Sequence, residues 1–250
     1  MPQDFIVPAV FQAIRSLPRY PELSILDLSC GEGELLSLLA QEGCTVRGTH
    51  FRSQDYIVEN RERLANIPIT DGVDLQRPIP LPDASYDVVI MTEVLEHLES
   101  CYSVVREARR LLRPGGYLVF TTPNVYRLHS RCQFLLTGRH KLIRRPVGWD
   151  LQPEDLYAYH ISPLDFPQFH TLLHQQGFEL TKLLFTRLKW RSFLYLWLWP
   201  IVRIAGWLST DKEAWRSPEF LRGERDLQRW LASAPLLFSE QLFGIARVRS

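Results

Sequence analysis

Short apolar runs alternate with stretches of helical period along most of this 250-residue chain. Ile25, Leu26 and Leu28 leave no polar face, which suits a parallel strand covered on both sides. The segment Ser85–Leu98 opens with a second run of that kind and then turns polar. Val104, Ala108, Leu111 and Leu112 recur at helical spacing, and Pro114-Gly115-Gly116 ends that helix. The pattern predicts strands at 24–29, 44–49, 69–74, 86–91 and 117–122, with helices at 33–41, 55–65 and 100–112. A helix at 164–176 stopped by Gly177, a strand in FELTKLLFTRL and a final strand in EQLFGIARVRS follow. The opening MPQDFIVPAVFQAIRSL reads as a short amphipathic helix leading into the first strand. Strands alternating with helices imply right-handed crossovers and a parallel sheet.

The chemistry begins where the first strand ends. ILDLSCGEGELL is a strand run with an acid near its end, a Gly-Xaa-Gly turn and a helix start. Gly31 and Gly33 let the backbone turn sharply and let a ligand approach it closely. Asp27 falls where the strand delivers a carboxylate to the carboxyl edge of the sheet, the usual ligand crevice. These features point to a nucleotide-like ligand. A dinucleotide fingerprint would need Gly or Ala at position 36, which is Leu, and no phosphate-binding lysine follows the turn.

Four segments in order, LDLSCGEGEL, the acid-bearing loop at Asp74, YDVVIMTEVLEHL and LLRPGGYLVFTTPN, span residues 24–124. In this ordered set the chain resembles the class I S-adenosylmethionine-dependent methyltransferases, nearest to the quinone-biosynthesis and glycan-associated branch. The resemblance implies an α/β Rossmann-like fold: a seven-stranded, mostly parallel sheet with helices on both faces and an antiparallel last strand. It also implies S-adenosyl-L-methionine as cofactor. On the matching positions, Asp27, Ser29, Gly31, Glu32 and Gly33 would line its amino-acid end, with Asp27 facing the ammonium directly or through water. The family commonly has Gly where this chain has Ser29. It commonly ends the second strand with a carboxylate for the ribose hydroxyls, where this chain has His50 followed by Phe51. A neutral imidazole offers one donor and one acceptor, so His50 would hold a single hydroxyl; Asp55 is a possible substitute. Asp74 and Leu75 would meet the adenine, although Asp beside Gly and Pro is also a turn residue. Thr92 and Glu93 would border the methionine end, and Asp87 reads as structural.

His97 follows in the EVLEH turn, which the resemblance puts near the methyl-transfer centre, and His160 resembles a histidine facing the acceptor pocket. An imidazole can take the proton of a hydroxyl acceptor. Packing of His97 against the sheet is the competing reading. His129 and His140 read as solvation or phosphate contacts in a basic run. TEVLEH replaces an Asn/Asp-Pro-Pro-aromatic turn, which argues against methylation of a nucleobase amine. No His/Cys/Asp set has metal-ligand spacing along the chain, so no metal is expected.

A net charge of +1 gives no general attraction to nucleic acid, and none is expected as a partner. Cys30, Cys44, Cys101 and Cys132 form no CxxC pair and read as reduced thiols. The N-terminus lacks the basic region and cleavage site of a signal peptide, so a cytoplasmic location is expected. Residues 125–148 carry Arg127, Arg131, Arg139, Lys141, Arg144 and Arg145 and no acid. WRSFLYLWLWPIVRIAGWL holds four of the seven tryptophans, and Pro200 and Arg203 break it well short of the ~20 apolar residues of a membrane span. Two readings stand for it: a segment at the lipid–water boundary, touching a membrane through 190–208, or a flap packed on the domain or a second subunit. The expected organisation is a methyltransferase domain over 1–187 and 236–250, with an apolar Trp-rich insertion at 188–235 between the last two strands. The expected activity is O-methylation of a small, lipid-linked or glycan acceptor near a membrane. The alternative is a catalytically silent binding or scaffold protein, suggested by His50.

Overall fold

The structure is a computed structural model and describes residues 5–51, 64–140, 160–209 and 217–249. The chain opens with helix α1 (Ile6–Arg15), strand β1 (Ser24–Asp27), helix α2 (Glu34–Gln41) and strand β2 (Thr45–Thr49). Next come β3 (Ile69–Thr70), β4 (Tyr86–Thr92), a short helical turn at Leu95–His97, α3 (Cys101–Leu111) and β5 (Leu112–Pro123). Then follow α4 (Leu128–Thr137), α5 (Phe166–Gln175), β6 (Phe178–Leu184), a turn at Trp190–Tyr195, α6 (Leu198–Leu208), α7 (Pro218–Leu231), α8 (Ala234–Phe238) and β7 (Gln241–Val248). Most of the helix expected at 55–65, together with Asp55, Lys141, Arg144 and Arg145, lies outside the described residues.

The strands form one seven-stranded sheet in the order β3-β2-β1-β4-β5-β7-β6. All neighbours are parallel except β7, which runs antiparallel between β5 and β6. The chain moves outward in one direction from β1 and in the other from β4, so a crevice opens between their carboxyl ends.

The unbroken apolar runs are explained by two cores. Leu26, Leu28, Val89, Met91, Leu118 and Phe120 face one side, packed with Val104, Ala108 and Leu111 of α3 and Phe166 and Phe169 of α5. Ile25, Val88, Ile90, Val119 and Ile245 face the other, packed with α1 and α2. Successive strand residues point to opposite faces, so a strand covered twice must be apolar at every position. Ser100 caps α3, its hydroxyl accepting from the Tyr102 N–H at 3.2 Å, and Asp165 caps α5 through Gln168 N–H at 2.9 Å. Strand β5 begins at Leu112, earlier than the pattern suggests, because the Pro-Gly-Gly turn is absorbed as an irregularity of the β4–β5 ladder.

Asp87 opens β4 at the opposite edge of the sheet and is structural. Its carboxylate accepts from Ser24 N–H (3.0 Å), Arg113 (2.7 Å) and Arg19 (3.2 Å). Helix α7 is held to α5 by His170 Nε2 and Asp226 Oδ2 at 3.0 Å, with the Trp230 indole on the same oxygen.

Helix α6 sits lightly on the body. Leu198, Trp199 and Val202 pack toward Leu128, Leu237 and Phe238, and the Trp199 indole donates to the Ala232 carbonyl at 2.8 Å. The opposite side is apolar and open: Trp197, Ile201, Ile204, Trp207 and Leu208 are all more than half exposed. Among the described residues no helix is long and apolar enough to cross a membrane.

Candidate active site

At the crevice the backbone is bent to order. Gly31 and Gly33 have φ of +54° and +70°, and Ser29 and Glu93, just past β1 and β4, are also left-handed at +66° and +55°. The left-handed Ser29 adopts the conformation that favours the Gly the resemblance expects there. Such geometry is costly for a residue with a Cβ and gathers at functional sites. It is held by the Ser29 N–H donating to Thr49 Oγ1 (3.0 Å) and by the Glu93 N–H donating to the Thr121 carbonyl (3.0 Å). A Cβ added at Gly31 would meet nothing within 4 Å among the described residues, whereas one at Gly33 would collide with Leu64. Gly31 therefore borders open space, and Gly33 is a packing requirement.

Among the described residues, two buried polar atoms at the ends of β1 and β4 have no hydrogen-bond partner: Oδ1 of Asp27, on a residue 3% exposed, and Oγ1 of Thr92. Burial pushes the Asp27 carboxyl up to about 8. An unpaired buried carboxyl is a costly feature unless a partner arrives. Asp27, Thr92 and the open face at Gly31 make a cradle for a compact cationic group. They fit the amino-acid end of the cofactor that the resemblance implies. Glu32, exposed, lies on the same loop.

His50 departs from the expected ribose contact. Its ring is 1% exposed, and Nε2 lies 2.8 Å from the Gly31 carbonyl, which it meets from beneath the loop. Nδ1 lies 3.6 Å from Oδ1 of Asp71. Asp71, just past β3 with its side chain 53% exposed, is the acid that the end of this strand pair offers. Sequence reasoning missed it, although the Asp-Gly step marks a turn at a strand end. Phe51 is half exposed beside it. Asp74 accepts from the Gln76 N–H at 2.9 Å and pairs with Arg77 at 3.2 Å, a turn arrangement, while Leu75 is buried. Glu93 spends its carboxylate on Thr121 Oγ1 (3.0 Å) and Gln241 Nε2 (2.9 Å), tying β4 to β5 and β7.

Beyond the end of β4 the fold brings His97 and His160 together, ring centroids 4.9 Å apart and edge to face. Glu96, also missed from sequence, lies beside them. It is 1% exposed, and one oxygen accepts from Thr122 Oγ1 at 2.8 Å. The other, Oε1, has no hydrogen-bond partner and sits 3.9 Å from His97 Nε2. Burial raises the Glu96 carboxyl to about 7, against the Thr122 hydrogen bond. Ligand-capable atoms of Glu96, His97 and His160 all lie within 4.8 Å of one another, as do those of His170, His174 and Asp226. Spacing along the chain gives no metal-ligand set; His160 reaches the first cluster only through tertiary structure, and Asp226 the second.

A family model described as a methyltransferase domain matches residues 9–183. A ubiquinone biosynthesis O-methyltransferase of Vibrio cholerae is 28% identical over 163 residues, 61% of this chain and 62% of that protein. A Mycolicibacterium smegmatis protein named "Probable S-adenosylmethionine-dependent methyltransferase" is 37% identical over 100 residues, 40% of this chain and 38% of its own length. The chain thus spans less than two thirds of either relative. The solved structure of a SAM-dependent methyltransferase from Archaeoglobus fulgidus shares the fold, with a TM-score of 0.54 at 20% identity, over 98% of this chain and 96% of that one. One from Mesorhizobium loti superposes with a TM-score of 0.53 at 20% identity, over 95% of each chain. With the domain match covering most of the chain and the crevice built as described, this protein belongs to the class I S-adenosylmethionine-dependent methyltransferases.

Proposed function

We propose that the protein methylates a hydroxyl group on an amphiphilic acceptor, a phenol or a glycan carried on a lipid. The observation that carries this reading is the His97–His160 pair, 4.9 Å apart beyond the carboxyl end of β4. When bound, S-adenosylmethionine supplies an electrophilic methyl group on a sulfonium. Asp27 and the backbone at Gly31 would hold its amino-acid end, with Thr92 adjacent, and Asp71 would offer a carboxylate to the ribose. Positioning supplies much of the rate of an in-line displacement. His97 and His160 would orient the acceptor hydroxyl and take its proton as the oxygen attacks. The O-methyltransferase relative from Vibrio cholerae supports oxygen as the methylated atom.

The amphiphilic character of the acceptor rests on α6. Its exposed row of Trp197, Ile201, Ile204, Trp207 and Leu208, with Trp190 and Arg191 just before it, has the make-up of a segment lying at the lipid–water boundary. Transfer of labelled methyl from S-adenosylmethionine to polyprenylated catechols or lipid-linked sugars, but not to their water-soluble heads, supports the reading. Equal rates on the water-soluble heads contradict it. Flotation with anionic vesicles should be lost on Trp207→Asp with Ile204→Asp.

A second reading of the same cluster is favoured by the orphaned Oε1 of Glu96. A divalent cation on Glu96, His97 and His160 would bind the acceptor oxygen and lower its pKa. Activity lost on chelation and restored by Zn²⁺ or Mn²⁺ selects the cation; activity indifferent to chelation selects the histidine base.

A further inference from the structure

A cavity of about 480 Å³ opens beside the end of β5, lined by Arg127, Arg187, Lys189 and Arg191 together with apolar Leu188, Trp190 and Phe238. That volume suits a small organic ligand. Its charge is lopsided. The carboxylate of Glu240 pairs with Lys189 and lies 4.0 Å from Arg187, and none of the described lining residues is acidic. Arg191 stands over the Trp190 ring, its guanidinium carbon 5.6 Å from the centroid.

Arg127 is the informative member. Its Nε is buried and has no hydrogen-bond partner, and burial lowers the guanidinium pKa with only Glu240 acting against it. Arg131, one turn on, repeats the pattern with a buried, unpartnered Nη2 and its charge over the Tyr126 ring. Arg127 and Arg131 are two neighbouring, partly buried guanidinium groups whose one acidic influence, Glu240, is already paired with Lys189, so an added anion would offset the cost of their burial. Arg127 is also the N-cap of α4, where no side chain caps the helix and the first turn holds no acid, so the free N–H groups of that end add to the positive field.

We propose that this cavity binds the phosphate group of an amphiphilic anion, its apolar chain running over Trp190 toward the exposed row of α6. The proposal rests on the amphiphilic-acceptor reading and gives it a chemical class: a phosphate-bearing, lipid-like acceptor. Arginine forks suit phosphate, and the apolar lining would discriminate against the bare ion.

The test is calorimetric titration of the full chain with octyl phosphate below its micellar concentration, inorganic phosphate and octyl glucoside, with S-adenosylhomocysteine titrated in parallel. Octyl phosphate should bind at least about tenfold tighter than inorganic phosphate, and octyl glucoside should not saturate. Arg191→Gln and Arg127→Gln should each weaken octyl phosphate about tenfold, with S-adenosylhomocysteine affinity held within about threefold. Arg191 is exposed, so its variant carries the test should Arg127→Gln fail to fold. Equal affinity for octyl phosphate and inorganic phosphate would overturn the amphiphile and point to a free anion. Equal affinity for octyl phosphate and octyl glucoside, or unchanged binding in both variants, would overturn the anion site. Octyl phosphate binding without S-adenosylhomocysteine binding would overturn the methyl-transfer reading and leave the anion site standing.

Discussion

Nε2 of His50 lies 2.8 Å from the carbonyl oxygen of Gly31, so the residue that ends the second strand holds the ligand loop of the first. With the ring nitrogen donating to that carbonyl, the imidazole fixes the loop from below, and the exposed carboxylate of Asp71 remains on the outer side. A substitution at this position therefore reads out on loop order. His50→Ala should cost about 1–3 kcal/mol of stability, because the Gly31 carbonyl loses its buried donor, and should weaken S-adenosylhomocysteine binding. His50→Gln, whose amide can donate from a similar reach, should retain most of both. His50→Asp should behave like the alanine variant, since a carboxylate cannot donate to a carbonyl. Tighter binding in His50→Asp would return this position to ribose recognition.

If Asp27 meets the cofactor's ammonium group as proposed, its carboxyl, raised by burial to about 8, would link cofactor binding to protons. Below that pH the free protein holds the proton, and a bound ammonium group displaces it. Affinity should rise with pH up to about 8 and then level off, with close to one proton released per binding event at pH 6–7. Titrations in two buffers of different ionisation enthalpy measure that proton directly. The same shift has a stability consequence of defined sign. The folded value lies above the ordinary 3.8, so the buried carboxyl costs stability increasingly as pH rises from 3.8 to about 8. Asp27→Asn should thus gain in Tm relative to the wild type at pH 8 and not at pH 4.

On the proposed function, His97 and His160 would act on the acceptor side and not on the cofactor. His97→Ala and His160→Ala should each lower kcat about 10²–10³-fold while leaving S-adenosylhomocysteine affinity within about threefold. A loss confined to cofactor affinity would make the pair a packing feature of the β4 turn.

Asp87 provides a control far from the chemistry. Burial raises its pKa, but the Ser24 N–H and Arg113 outweigh burial and leave it below the ordinary 3.8. Its contribution is present above 3.8 and is lost as pH falls through the lower folded value. Asp87→Asn should cost about 2 kcal/mol at pH 7, with the gap to wild type closing in acid, and should leave ligand binding unchanged.

The alternation of elements was legible because each strand is buried on both faces and each helix on one, so period and apolar run length report the fold directly. The ends of β1 and β4 were legible for the same reason, and with them Asp27 and Thr92. Side-chain direction was not. His50 and Asp71 end adjacent strands, and only the turn geometry decides that the imidazole points under the loop while the carboxylate points out. Glu96 was hidden inside TEVLEH, since nothing local distinguishes a buried glutamate from a helix-turn one. His160 joins it from a distant segment. Arg127 stands in the sequence as one member of a basic run, because counting charges cannot reveal that a guanidinium nitrogen is buried without a partner.

The measurement that bears most directly on the central claim is calorimetric titration of the wild-type chain with S-adenosylhomocysteine, repeated on Gly31→Val. The crevice between β1 and β4 predicts saturable one-to-one binding in the micromolar range, weakened more than about tenfold when a side chain fills the open space at Gly31. No saturable binding by the wild type, or binding untouched by Gly31→Val, would contradict the account.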